Sequence, residues 1–131
     1  MKIKYKNPWF FPILQWFFPG LNPETAIITF GDTIYAKRDF PDDVRIHEEE
    51  HIKQQKGSKI FAFFFMIWFI ASPRFRLKVE LEAYRVQYKY AWANGLLTWQ
   101  ILDRCAKTLS GPFHNHFISY EEAIKLIKNE S

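Results

Sequence analysis

The stretch RIHEEEHIKQQKG, Arg45–Gly57, carries two histidines, three glutamates and two glutamines in thirteen residues. Within it, His47-Glu48-Glu49-Glu50-His51 matches the pattern H-E-x-x-H. Residues four apart on an α-helix lie one turn apart on the same face, so both imidazoles can reach one metal ion. Glu48 is rotated by about 100° from His47, so it can reach a water on that ion without filling a ligand position. That geometry makes Glu48 the candidate general base. Glu49, Lys53 and Lys56 fall on the opposite, solvent side of the helix, with Glu49 and Lys53 spaced as an i,i+4 pair. Val44, His47, His51, Gln54 and Gln55 share the inward side.

A catalytic zinc needs a third protein ligand and an open position. The single cysteine, Cys105, rules out a thiolate cluster and an intramolecular disulfide, so the ligands must be histidine and carboxylate. Two glutamates on a later helix, Glu80 and Glu82, compete for the place. Glu82 shares a charged stripe with Lys78, Arg85 and Lys89, whereas Glu80 lies about 200° away with Leu77, Tyr84, Gln87 and Ala91. A lone carboxylate on an inward face is costly unless paired or bound to metal. Glu80 is therefore the expected third ligand, the alternative being an ion pair with Arg74 or Arg76.

The elements that must position these groups follow from pattern and punctuation. Ala26–Phe30 and Thr33–Lys37 read as two short strands around a Gly31-Asp32 turn. Pro41, Asp42 and Asp43 suit the first turn of the motif helix, which Gly57 ends. A second helix is expected from Ser58 to before Pro73, a third from Pro73 to Gly95 and a fourth from Leu96 to Leu109. Ser119 and Glu122 form a capping-box signal for a last helix to Lys128. The fold class expected is α+β, mostly helical, with a short N-terminal β-hairpin, in a single domain over residues 1–131.

Composition narrows the partners. The 131 residues are 48% hydrophobic and 19% aromatic, which excludes a disordered chain. The net charge of +4 comes from scattered cations, so no nucleic-acid arm is present. The start, MKIKYKNPWFFPILQWFFPG, has a basic then apolar profile, but its three prolines and missing small-residue cleavage site argue against a signal peptide. The run IFAFFFMIWFIA, Ile60–Ala71, rises about 18 Å as a helix, short of a hydrocarbon core of about 30 Å. It is expected to be a wholly buried helix, the alternative being peripheral membrane contact through the Phe/Trp-rich segments.

HEEEH followed 29 positions after its second histidine by E-L-E-A-Y resembles the gluzincin zinc metallopeptidases, closest in size to the minigluzincins. The resemblance covers about residues 26–92. It implies a zincin-like metallopeptidase domain that binds Zn2+ and hydrolyses peptide or protein substrates. His47, His51 and Glu80 would be ligands, Glu48 the base, and Ala83 the small residue that lets two helices approach. It also implies that Thr33–Lys37 is the edge strand that pairs with an extended substrate, and that Pro112–Ser131 can cover the cleft. Relatives often carry Asp four residues after the Glu ligand to orient a histidine, where this chain has Tyr84. Tyr84, Tyr88, His114, His116 and Tyr120 are candidate oxyanion donors, and the spacing of His114 and His116 in a Gly-Pro loop favours exposed rings. Two other functions fit the composition: a non-catalytic zinc-binding structural or regulatory module, and a membrane-surface protein with an incidental HEEEH.

Overall fold

In a computed structural model, which describes residues 1–129, the chain folds as six helices against a three-stranded sheet. The hairpin is as expected: β2 (Ile27–Phe30) and β3 (Thr33–Ala36) pair antiparallel, with Phe30 opposite Thr33. A two-residue turn fits here because Gly31 takes φ +66°, the positive value such turns need at their first central position. A side chain at Gly31 would also lie 3.0 Å from the Lys59 backbone, so the position excludes one twice over.

The sheet holds one strand the sequence pattern did not mark. β1 (Lys2–Lys4) pairs parallel with β3, giving the order β1-β3-β2. That arrangement corrects the edge-strand expectation. Thr33–Ala36 is the central strand, with all four residues buried, and β2 is the edge nearer the motif helix. A short helix, α1 (Phe11–Phe17), joins β1 to β2; it starts at a Pro-bearing first turn and buries Phe11 and Leu14.

The motif helix, α2, spans Asp42–Gln54, with Asp42 and Asp43 at its positive end. Its chain reversal runs through Lys56 and Gly57, both at positive φ. Next come α3 (Lys59–Ala71) and α4 (Pro73–Ala93), separated by Ser72 and bent 115° from each other. Ser58 and Ser72 each cap a helix start, accepting from Phe61 N and Phe75 N at 3.2 Å. α5 (Thr98–Leu109) and α6 (Tyr120–Lys128) complete the bundle, α6 opening with the expected capping box at Ser119 and Glu122.

The largest core cluster joins Ala91 of α4, Ile101, Leu102, Cys105 and Leu109 of α5, and Ala123 and Ile127 of α6. The C-terminal helix is thus part of the core. The resemblance implied that Pro112–Ser131 can cover the cleft; its last two residues lie outside those described, and α6 within it packs in this core. Phe113, in the 3-10 turn at Pro112–His114, lines the apolar space beside Ile27, Ile28 and Thr29 of β2.

α3 departs most from expectation. Only Ala62 and Phe65 are buried on it, while Ile60, Phe63, Phe64, Ile67 and Trp68 are more than half exposed. The physical reason is position. α4 turns away at Ser72, so α3 lies at the margin with only α4 and β2 for substantial contact.

Gln55 ties the hairpin to the helices. It is buried, accepts from Gly31 N at 2.7 Å and donates to Thr29 O at 3.1 Å. Gln55→Ala should cost about 2 kcal/mol by leaving two buried backbone groups unpaired. On a domain of this size that lowers Tm by about 5–10 °C in a calorimetric melt. An unchanged Tm would mean that Gln55 does not hold the hairpin in place.

Candidate metal centre

α2 and α4 make the most extensive contact in the fold, and they meet along a seam of polar pairs. Asp43 accepts from Gln87 at 2.7 Å; the His47 ring lies 4.5 Å from that of Tyr84; His51 meets Glu80; Gln54 donates to Val79 O at 3.0 Å. Numbers rise on one helix as they fall on the other, so the helices run antiparallel. Ala83 and Ala91, both fully buried on α4, remove the bulk that would hold its neighbours apart.

His47, Glu48 and His51 are all buried, and their ligand atoms lie within 4.8 Å of one another, a group able to hold a metal ion. Two carboxylates stand near the imidazoles, and distances separate their roles. The Glu80 Oε1 lies 2.6 Å from His51 Nε2 and 3.6 Å from His47 Nε2, and the two Nε2 atoms are 3.2 Å apart. Ligands at zinc distances of about 2.0–2.1 Å in a tetrahedron sit about 3.3 Å from each other. Opening the His51–Glu80 contact by about 0.7 Å, with smaller shifts in the other two separations, would therefore seat an ion among these three atoms. Glu48 stays beside this group but has a protein partner of its own: its Oε2 accepts from the Thr29 hydroxyl at 2.7 Å, which tethers it to β2.

The other glutamate has a different task. Glu82 accepts from Gln54 Nε2 at 3.2 Å, and Gln54 Oε1 lies 2.8 Å from His51 Nδ1. With Nδ1–H donated to Gln54, His51 presents Nε2 to the site. The expected Arg alternative for Glu80 is not what forms. Arg76 gives its Nη1 to Phe69 O at 2.9 Å and Ile70 O at 3.3 Å, and its Nε to Phe113 O at 3.2 Å. Arg74 stacks over Phe117.

Charge in the site is strongly coupled. Burial opposes the His51 imidazolium, but the adjacent Glu80 and nearby Glu48 outweigh it and raise the pKa from 6.5 to about 9. Burial would likewise raise the Glu80 pKa, and the two histidines overcome that and hold it well below its ordinary value.

Tyr84, four residues after Glu80 on α4, faces the histidines. Its ring packs on His47, whose buried Nδ1 has no hydrogen-bond partner among the described residues. Burial raises the Tyr84 pKa well above 10, with Glu80 adding to it, so the phenol stays a neutral donor. Of the five candidate oxyanion donors, Tyr84 alone lines a cleft with His47, Glu48 and Glu80. Tyr120 is committed to Asp103. His116 is exposed, with Nδ1 at 3.0 Å from Ser110 O. His114 is fully buried, against expectation, and burial lowers its pKa to about 4. Cys105 borders the same cleft, but burial pushes its thiol up to about 12.

The cleft continues on the far side of Glu48 and Glu80 as an apolar pocket formed by Leu14, Phe18, Phe65, Met66, Phe69 and Phe113. β2 borders both halves. Since the Thr29 carbonyl bonds Gln55 rather than β3, strand alternation puts the Ile27 N–H and C=O on the same free edge. Sequence reasoning missed Thr29 and the pairing role of Gln55. A threonine in a strand has no distinguishing signal, and Gln55 showed only as an inward amide. Compared with known proteins, the chain matches no family model, no curated protein and no solved structure.

The raised His51 pKa gives metal binding a proton dependence. Below about pH 9 a metal must displace the His51 proton, so apparent zinc affinity should rise about tenfold per pH unit between about pH 6 and 8. In metal-stripped protein the His51–Glu80 pair has the reverse sign. The His51 contribution to stability is full below pH 6.5 and is lost as pH rises through about 9. Competitive zinc titrations over that range check the first sign, and pH-dependent melts check the second. In the same titrations Glu80→Gln should weaken zinc retention by about 100-fold and Glu82→Gln by less than about tenfold. Equal losses would remove Glu80 from the ligand set.

Proposed function

We propose that this protein is a zinc-dependent peptidase of gluzincin type, with His47, His51 and Glu80 as ligands and Glu48 as general base. One observation carries the reading: the Glu80 Oε1 lies within 3.6 Å of both Nε2 atoms, while the second buried carboxylate, Glu48, is held aside by Thr29. A purely structural site needs no such spare carboxylate. A zinc ion held by the three ligands supplies Lewis acidity, polarising a carbonyl and making water a stronger acid.

The chain's own groups supply the rest. Glu48 takes the proton of the attacking water and delivers it to the leaving amine. The Thr29 hydroxyl, donating to Oε2 at 2.7 Å, leaves Oε1 for that proton and fixes the carboxylate's rotamer. Tyr84, neutral and bordering the cleft, donates to the oxygen on which charge develops. An extended peptide pairs with the free edge of β2 at Ile27, in the manner of strand addition. The apolar pocket beside Glu48 then receives a large hydrophobic side chain of the substrate.

Glu48→Gln separates this enzyme from a structural zinc module. The exchange keeps the shape and the Thr29 hydrogen bond but removes the base. Zinc content and Tm should stay near wild type while hydrolysis of an unstructured, Phe- and Leu-rich protein substrate falls by about 100-fold or more. Hydrolysis by Glu48→Gln at the wild-type rate, or a zinc-loaded wild type inert on several unfolded substrates, would leave metal binding alone.

A further inference from the structure

We propose that α3 is a docking face for an anionic membrane surface. Ile60, Phe61, Phe63, Phe64, Ile67 and Trp68 are each at least 39% exposed. At 100° per residue they span an arc of about 160°, while Ala62 and Phe65 point the other way into the protein. Six large apolar side chains on one helix face exceed the few hundred Å² of contiguous apolar surface that a soluble monomer leaves bare.

The charge around this face selects the occupant. No Asp or Glu occurs between Glu50 and Glu80, although the chain has fourteen elsewhere. In that interval Lys53, Lys56 and Lys59 precede the apolar run and Arg74 and Lys78 follow it, all exposed. The N-terminal segment repeats the pattern: Lys2, Lys4 and Lys6, exposed Trp9, Ile13, Trp16 and Phe17, and no acidic residue before Glu24. The two segments adjoin, with the Phe18 and Phe69 rings 6.4 Å apart. A second copy of this chain would bring the same cations against these cations, with Glu82 beside Trp68 and Lys78 and Asp32 near Lys2 and Lys59 as the carboxylates close by, fewer than the cations they would have to offset. Anionic headgroups neutralise them instead.

The geometry is that of a helix lying in the interface. Thirteen residues rise about 20 Å, less than a hydrocarbon core of about 30 Å, and no helix among the described residues is long and apolar enough to cross one. Trp68 and the flanking lysines suit the headgroup level, and the Phe and Ile side chains the acyl boundary. Docking of this kind uses no metal and stands apart from the peptidase reading.

Co-sedimentation of the full chain with vesicles tests it. On phosphatidylcholine containing about 30% phosphatidylserine, wild type should pellet, and on pure phosphatidylcholine its partition coefficient should be at least about tenfold lower. Phe64→Ser with Trp68→Ser should lower partition at least about tenfold at unchanged circular dichroism and Tm, both side chains being exposed. Lys56→Glu with Lys78→Glu should cost at least about thirtyfold on anionic vesicles and flatten the salt dependence of binding, the remaining cations keeping part of it. Wild type that does not pellet with anionic vesicles, or binds both compositions equally, overturns the proposal. So does a dimer in sedimentation velocity that Phe64→Ser with Trp68→Ser dissolves, which would assign the face to a second copy.

Discussion

A carboxylate buried on the inward face of α4 governs this fold. Glu80 is 12% exposed, and an ionised carboxyl at that depth must find cations or hydrogen-bond donors or give up its charge. The donors it finds are the imidazoles of α2, and satisfying them fixes how the two helices lie. Once His51 sits against Glu80, antiparallel packing brings Asp43 to Gln87 at one end and Gln54 to Val79 at the other. Asp43 also meets Arg104 of α5 at 3.4 Å, so the same seam positions the next helix. Removing one member of such a pair leaves the other buried and uncompensated, which costs several kcal/mol. The site is therefore also a principal fastening of the bundle.

The sequence carried this seam because helical phase is a strong constraint. Four-residue spacing put His47 and His51 on one side, and a 200° separation distinguished Glu80 from Glu82; the structure places both glutamates accordingly. The hairpin turn, the Ser119 capping box and the helix boundaries were legible for the same reason, since each rests on local geometry. What escaped depends on contacts between elements far apart in sequence. Strand order needs to know that residues 2–4 take the outer edge of β3, which no local pattern states. Thr29 reaches Glu48 only because the hairpin folds onto α2. Hydropathy said that α3 leaves water, but not what receives it.

The two histidines of the site are not equivalent, and the difference lies in what touches Nδ1. His51 gives that atom to Gln54, itself fixed by Val79 O and Glu82, so its ring orientation is set through three successive hydrogen bonds. His47 meets the face of Tyr84 and leaves Nδ1 buried without a partner among the described residues. Ring packing restrains tilt but does not choose a tautomer. A hydrogen bond from Nδ1 makes an imidazole a better electron donor to any metal it holds, so His51 is the better prepared of the two for such a role. Tyr84, a neutral phenol packed on His47, adds no negative charge to a site that already holds Glu48 and Glu80.

Arg76 connects this chemistry to the exposed helix. It lies one turn before Glu80 on α4, yet its guanidinium turns away to carbonyls that the end of α3 leaves unpaired. The Phe18, Phe69 and Phe113 rings surround it at 4.8–5.8 Å, so α1, α3 and the 3-10 turn converge on one buried cation. Those three rings also wall the apolar pocket beside His51 and Glu80. A lysine could not replace this arrangement, because its single ammonium cannot span three carbonyls or stack flat on the rings. The wall of the pocket and the seating of α3 thus depend on one side chain. Whatever α3 rests on bears, through Arg76, on the shape of the cleft beside the histidines.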